Sequence, residues 1–396
     1  MLLKPYSINI SSILLLGLMF GLIFNAPLQY FVNPLRLFFI FTLFIGMFLV
    51  IKSDLTNGKY LSHYFLLLGV LILGLISLNI ATLPLNIAIR ELYANLSIVF
   101  GFFAFRYYEK FKSLLVYAIT ISLIIMIYDI VNLEYLFNFD PVQNRFQVDR
   151  GKGLFSYSKE AGAFTIFATF MFRDNPKILS LLFLTSILSG SRSAIIFIFI
   201  IIFMDIIFYS KNKISLKNLK FFLFGALIIF LSSYLIDDHL YARMENSFDF
   251  GKSGTHSYRF FIWDLYLKEL NLSSTIHILF GNLGYFRAVL GNGAENAYLT
   301  ILTHGGIFLL VVFYLPILFL AILSVLNFRM FYPFILLLII LQFGRQGTGW
   351  ADGVLLWAYI FHIYSGKYMR GVLMRVLGRK FKVPDRGSVN PTPLGG

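Results

Sequence analysis

The sequence predicts an all-α polytopic membrane protein with about twelve transmembrane helices. Three observations predict it. Of 396 residues, 58% are apolar and only 13% are charged, against about 25% charged in a soluble globular chain. The mean hydropathy is +0.79. Uninterrupted apolar runs such as FLLLGVLILGLISLNIA recur along the whole chain. A hydrocarbon core about 30 Å thick takes about 20 such residues per helix, and about 17 suffice. Lipid satisfies no open sheet edge, so these runs read as helices. A transmembrane barrel would instead alternate apolar and polar residues over segments of about ten.

The spans run Ile8–Phe24, Leu35–Ile51, Leu61–Ile80, Ile87–Phe105, Leu114–Ile130, Ser156–Phe172, Pro176–Ser191, Ala194–Tyr209, Phe221–Leu235, Ala297–Leu326, Phe331–Phe343 and Val354–Tyr364. The first follows Lys4 without a small-residue cleavage site, so it reads as a span and not as a signal peptide. The sixth, seventh, eleventh and twelfth are short. The tenth is long, with a natural break at Gly305-Gly306. Residues 1–385 thus form one transmembrane domain. The Gly/Pro-rich end from Arg386, RGSVNPTPLGG, reads as a disordered end or a cloning scar. The chain has no cysteine, which removes disulfides, thiolate nucleophiles and Cys-based metal sites.

Charge sets the expected orientation. With the amino terminus inside and an even count, the inner segments hold 20 basic and 4 acidic residues, a net +16. The rest of the chain holds 13 basic and 15 acidic residues, a net −2. This positive-inside bias accounts for the whole +14 of the chain, so nucleic acid is not needed to explain a pI near 9.7. Both termini are then cytoplasmic. The inner cations are mostly lysine, and the cluster Lys211–Lys220 reads as a topology signal and anionic-lipid contact. The others are 9 Arg and 4 Lys, and arginine is the residue whose planar fork grips phosphate or carboxylate. Arg36, Arg90, Arg192 and Arg345 lie at or just inside span ends. A charge at the membrane centre costs about 2.5–3.5 kcal/mol. Each arginine could snorkel to the outer headgroups or pair with an acid, as Arg90 with Glu91. As a set they point to an anionic ligand at the outer leaflet.

Two outer segments are long, residues 131–155 and residues 236–296, the latter a loop of about 60 residues between the ninth and tenth spans. Its centre, SYRFFIWDLYLKEL, is a candidate amphipathic helix with Phe260, Trp263, Leu267 and Leu270 near one stripe. That helix would lie on the membrane surface, cap a cavity or pack over the bundle.

LTSILSGSRSA ends one span, a large loop carries SYRFFIW and then LFGNLGYF, and ENAYLTILTHGGIFLL enters the next span. DRGKGLFSYSKEAGAF lies upstream. In this order the motifs resemble the O-antigen polymerase (Wzy) and O-antigen ligase superfamily, over about residues 145–325. The resemblance implies a class C glycosyltransferase fold in the bacterial inner membrane. It implies an undecaprenyl-pyrophosphate-linked oligosaccharide as substrate on the outer face, and a chain-length regulator as a candidate protein partner. It assigns Arg192 in SGSR and Arg259 in SYRFFIW to the pyrophosphate; Arg90, Arg150 and Arg345 are weaker candidates for the same anionic pocket on charge and position alone. Ligases commonly begin the ENAYL position with a His-Asn-like pair whose His is essential. Here Glu295 and Asn296 stand there, a departure that favours polymerase over ligase.

The chemistry needs few parts. Arginines in a low-dielectric pocket stabilise the pyrophosphate as the C1–O bond breaks, each charge-assisted hydrogen bond contributing about 1.5–3 kcal/mol. A base takes the acceptor proton, for about 10²–10⁴-fold. Glu295 is the candidate base or orienter, unless it pairs with a loop arginine such as Arg287. His304 and Glu160 are the next candidates, and a lone helix-facing histidine such as His304 also fits a structural role. Asn296 and Tyr298 are candidate glycan contacts. No metal or other cofactor is implied. The chain has no D-x-D triplet, and its first outer loop, Asn25–Asn33, has no acid. Asp237-Asp238 reads as a solvated pair. No phosphate-cradling GxGxxG or GxxxxGK[ST] occurs. A flippase or transporter for the same lipid-linked sugar is the alternative of another class, but it would favour inverted repeats, and none is evident.

Overall fold

The computed structural model describes residues 9–24, 33–58, 60–132, 134–137, 151–155, 158–209, 255–291, 293–294, 296–325, 328–341, 350–366 and 369. All regular structure among them is helical. In order it comprises α1 (Ile10–Leu18, continued by a π turn over Met19–Ile23), α2 (Asn33–Thr56), α3 (Leu61–Ile80), α4 (Leu85–Ala88), a 3-10 turn (Ile89–Glu91), α5 (Tyr93–Arg106) and α6 (Tyr108–Val131). Then come α7 (Ser158–Phe172), α8 (Pro176–Leu188), α9 (Arg192–Tyr209), α10 (Thr255–Leu272), α11 (Thr275–Phe280), α12 (Tyr285–Leu290), α13 (Ala297–Ile322, continued by a 3-10 turn over Leu323–Val325), α14 (Phe328–Ile340) and α15 (Trp350–Ser365).

Among the described residues, four helical stretches are long and apolar enough to cross a bilayer, Leu37–Thr56, Leu61–Ile80, Tyr108–Val131 and Ala297–Val325, and five shorter apolar helices accompany them. The chain is a multi-pass membrane protein. Large apolar side chains on the outside of the bundle, such as Phe41 and Phe48 of α2 and Phe65 of α3, are more than 60% exposed. In water such a surface would drive aggregation, and in lipid it is the expected outer face. Where helices touch, small residues let the backbones approach. A Cβ on Gly17 of α1 would stand 2.5 Å from the Leu43 Cα of α2, and one on Gly46 would stand 2.7 Å from the Leu14 Cα. These contacts run antiparallel, residue 17 against 43 and 14 against 46. The same reversal at each short connection sorts the helix termini into two ends.

One end is knit by ion pairs. Arg106 grips Asp54 with Nε at 2.8 Å and Nη2 at 2.5 Å, and the Tyr64 hydroxyl donates to the same carboxylate. Arg173 likewise grips Asp205, with Tyr332 beside it. The opposite end gathers the start of α5, the end of α6, the α8–α9 turn, α11, α12 and the start of α13.

Several expected spans change. The fourth is not one helix, because α4 and the 3-10 turn precede α5 and Leu92 breaks the run. The fifth starts at Tyr108 instead of Leu114, because Tyr108 and Phe111 bury beneath the charged residues of that first turn. The second is longer, ending at Thr56. The tenth does break, since Gly306 has φ 68° and ψ −169° inside α13. The ninth lies outside the described residues, as do Asp237-Asp238 and the carboxy-terminal tail. The loop helix forms as α10; of its expected stripe, Phe260 is 59% exposed and Leu267 47%, while the Trp263 Nε1–H donates to the Ala294 carbonyl at 2.8 Å. Ile262 and Tyr266 are the buried pair, packing with Phe286 of α12. The face is chosen by what α12 presents, and sequence spacing cannot reveal that.

Candidate functional site

The α8–α9 turn is built for close approach. Gly190 takes a left-handed φ of 62°, which glycine adopts without the steric cost of a Cβ. A Cβ on Gly162 of α7 would stand 2.2 Å from the Ser191 Cβ, so α7 meets this turn at backbone distance. Arg192 opens α9 directly after it. Gly151 donates its N–H to the Leu188 carbonyl at 2.9 Å, laying residues 151–155 along the same turn. All five are buried, although they belong to a segment that reads as an outer loop.

Asp129 holds that segment down. It lies on the last turn of α6 with no exposed surface. Its carboxylate accepts the N–H groups of Leu136 at 2.9 Å, Lys152 at 3.3 Å and Gly153 at 3.4 Å. Lys152 is 2% exposed, and its Nζ sits 4.4 Å from the centroid of the Tyr135 ring. Burial pushes its ammonium down to about 8, against the opposing pull of Asp129.

A second group forms at the α13 kink. Gly281 and Gly306 bring the α11–α12 hairpin onto that kink. A Cβ on Gly281 would stand 2.2 Å from the His304 carbonyl oxygen, and one on Gly306 would stand 2.2 Å from the Leu279 backbone. The Asn282 N–H donates to the Thr303 carbonyl at 2.8 Å. The Asn282 side-chain oxygen accepts the Thr82 N–H at 3.1 Å. Ser77 donates to the Phe280 carbonyl at 2.5 Å, and His277 Nε2 lies 3.1 Å from the Ile80 carbonyl. Into this clamp projects Glu91. Its Oε2 lies 3.8 Å from His304 Nδ1, and its Oε1 accepts from Arg287 Nη1 at 3.4 Å. Glu91 and His304 are buried, while Arg287 is half exposed. A carboxylate, an imidazole and a guanidinium from three separate segments therefore meet. Such a group binds anions, relays a proton or locks the hairpin.

The sequence-predicted residues divide as follows. His304 is in the kink group. Asn296 caps α13, its Oδ1 accepting the Leu299 N–H at 3.1 Å, so part of its hydrogen-bonding capacity goes to the helix. The Tyr298 hydroxyl donates to the Leu338 carbonyl of α14 at 2.9 Å, and its ring stacks on Tyr314 at 4.1 Å. Arg259 is half-buried on α10, one turn before Ile262. Glu160 is exposed on the first turn of α7. The backbones of Arg192 and Arg90 sit at the start of α9 and in the 3-10 turn, and their side chains lie outside the description, as does that of Arg36. Glu295, Arg150 and Arg345 lie outside the described residues altogether. Arg287 pairs with Glu91, which is where the sequence reading set Arg90.

Glu91, Asp129 and Lys152 are the candidates that sequence reasoning passed over. The signal was present for the first two, since an ionisable residue inside an apolar run is by default a functional hypothesis. Lys152 had a weaker one, its place between two glycines.

With a bundle of apolar helices and two polar groups at one end, the class is that of a polytopic membrane protein, and those groups are the candidate site. Residues 178–270 match the family model described as O-antigen ligase (Wzy_C), and this match supports the O-antigen ligase and polymerase superfamily for the chain. No curated protein and no solved structure matches it.

Proposed function

We propose that this protein is a polymerase of undecaprenyl-pyrophosphate-linked oligosaccharide repeats, working on the outer face of the bacterial inner membrane with both termini cytoplasmic. The observation that carries the reading is that the family match takes in both Arg192 and Arg259. These two arginines hold the donor pyrophosphate, with Arg150, Arg90 and Arg345 as weaker candidates for the same role. The acceptor hydroxyl oxygen bonds to C1 of the donor sugar as the C1–O bond to pyrophosphate breaks. The electron pair leaves with the pyrophosphate, whose charge the guanidinium groups stabilise. The acceptor proton passes to Glu295, or to His304 in its place. A single displacement inverts the anomeric centre, and the step uses no metal. Asn296 and Tyr298 sit beside the acceptor.

The second reading is ligation of finished glycan to lipid A core, favoured by the description of the matching family model itself. Glu295-Asn296, standing where ligases carry a His-Asn-like pair, favours polymerisation. A glycan-length assay in a strain deleted for this chain separates the two. Loss of long chains with single repeats retained marks a polymerase. Loss of all attached glycan, with free lipid-linked polymer accumulating, marks a ligase. Complementation with Arg192→Ala or Arg259→Ala should abolish activity at normal membrane abundance, and Arg→Lys should restore little, because lysine lacks the bidentate fork. Full activity in both lysine variants would remove the arginines from phosphate binding.

A further inference from the structure

A buried lysine packs beside the α8–α9 turn. Gly151 is hydrogen-bonded to Leu188, four residues before Arg192, so Lys152 enters the same corner of the fold. Asp129 fixes the backbone there through the N–H groups of Lys152 and Gly153. Gly153 has φ 58°, and a Cβ on it would stand 2.2 Å from Ser122 Oγ, so the segment is pressed against α6. The ammonium is held over the Tyr135 ring. A lysine 2% exposed at the end of a membrane bundle is costly to keep charged, and an apolar residue would fill the space at lower cost.

We propose that Lys152 is a further cation of the pyrophosphate site, seated beneath the Arg192 turn by Asp129. The proposal rests on the reading of Arg192 as a pyrophosphate ligand. A pyrophosphate arriving at the turn adds anionic charge in a low-dielectric corner and stabilises the protonated lysine, so binding and protonation reinforce each other. Burial pushes the ammonium down to about 8, so a bound anion has protonation to recover as pH rises. Affinity for a pyrophosphate therefore declines as pH rises from 7 to 9. The groups at Lys152 include the Asp129 carboxylate of α6 and the Tyr135 ring of the segment after it. Arginine stays charged throughout this window, and a phosphate whose last ionisation lies near about 6 is already fully charged.

The test is binding of undecaprenyl pyrophosphate to the full chain in nanodiscs, at pH 7, 8 and 9, for wild type, Lys152→Met and Arg192→Ala. Methionine matches the lysine stem in an apolar pocket, and Asp129 keeps its three N–H partners, so the variant should fold. Thermal unfolding checks that. The expected result is a loss of about tenfold or more at pH 7 in Lys152→Met, a comparable decline from pH 7 to 9 in wild type, and a flat profile in the variant. Phosphatidylglycerol as competitor should be affected less. An equal loss for both lipids would assign the corner to membrane headgroups and overturn the proposal. Unchanged affinity and an unchanged pH profile in a folded Lys152→Met would overturn it too. If Arg192→Ala also leaves affinity intact, the pyrophosphate reading of the turn falls with it. If Arg192→Ala weakens binding, only the role of Lys152 falls.

Discussion

At the scale of single residues, the chain keeps its buried charges in two different ways. Arg173 with Asp205 and Arg106 with Asp54 are closed pairs, their carboxylates taken up by a guanidinium fork and a tyrosine hydroxyl. Such pairs hold helices in register and leave little capacity for a ligand. Glu91 is different. Its contacts to Arg287 and His304 are 3.4 and 3.8 Å, looser than a good charge-assisted hydrogen bond. Looseness of this kind suits groups that must change partners. Glu295 is the residue on which the proposed chemistry turns. Replacing it with glutamine keeps shape and hydrogen bonding but removes basicity. Glu295→Gln should lower turnover by about 10²-fold or more at unchanged donor affinity. Polymerisation near the wild-type rate would move the base to His304 or Glu160.

At the scale of elements, the α11–α12 hairpin and the kinked α13 behave as one unit. Two glycines make their contact possible, and they are not equivalent to glycines in open turns. Gly306 combines φ 68° and ψ −169° with backbone 2.2 Å from where a Cβ would sit. That region of backbone space is essentially closed to other residues, at about 1–3 kcal/mol before any clash. Gly291 also has positive φ, 73°, but nothing lies within 4 Å of its would-be Cβ. Gly306→Ala should therefore lower the unfolding midpoint in detergent well beyond Gly291→Ala, and should cost activity through loss of the hairpin seat. Equal shifts in the two variants would mean that the close approach adds nothing to the cost of positive φ.

For the whole molecule, the alternation of helices puts the closed ion pairs at one end and both polar groups of the candidate site at the other. The charge bias of +16 against −2 predicts which end is cytoplasmic. The native chain has no cysteine, so single cysteines report cleanly. Thr255→Cys should react with an impermeant thiol reagent in intact cells, and Ser215→Cys should react only after lysis. The reverse pattern would invert the topology and bring the candidate site to the cytoplasmic face, where a polymerase of exported repeats has no substrate.

Hydropathy and composition by themselves determined the helical, membrane-spanning class, because an apolar run of sufficient length has one stable form in lipid whatever surrounds it. The order of motifs by itself pointed to a resemblance to the superfamily, and the family model that matches takes in Arg192 and Arg259 among residues 178–270. Tertiary structure alone decided which polar residues meet. Glu91 and His304 are more than two hundred residues apart, and no local pattern marks them as partners. The break in the fourth span, the burial of residues 151–155 and the face that α10 presents were equally invisible. Each depends on a surface supplied by a distant segment: the α13 kink for Glu91, the Leu188 carbonyl for Gly151, Phe286 for Tyr266. Local sequence carries helix propensity and hydrophobic length. Pairing across the bundle is a property of close packing, and it exists only once the helices are in place.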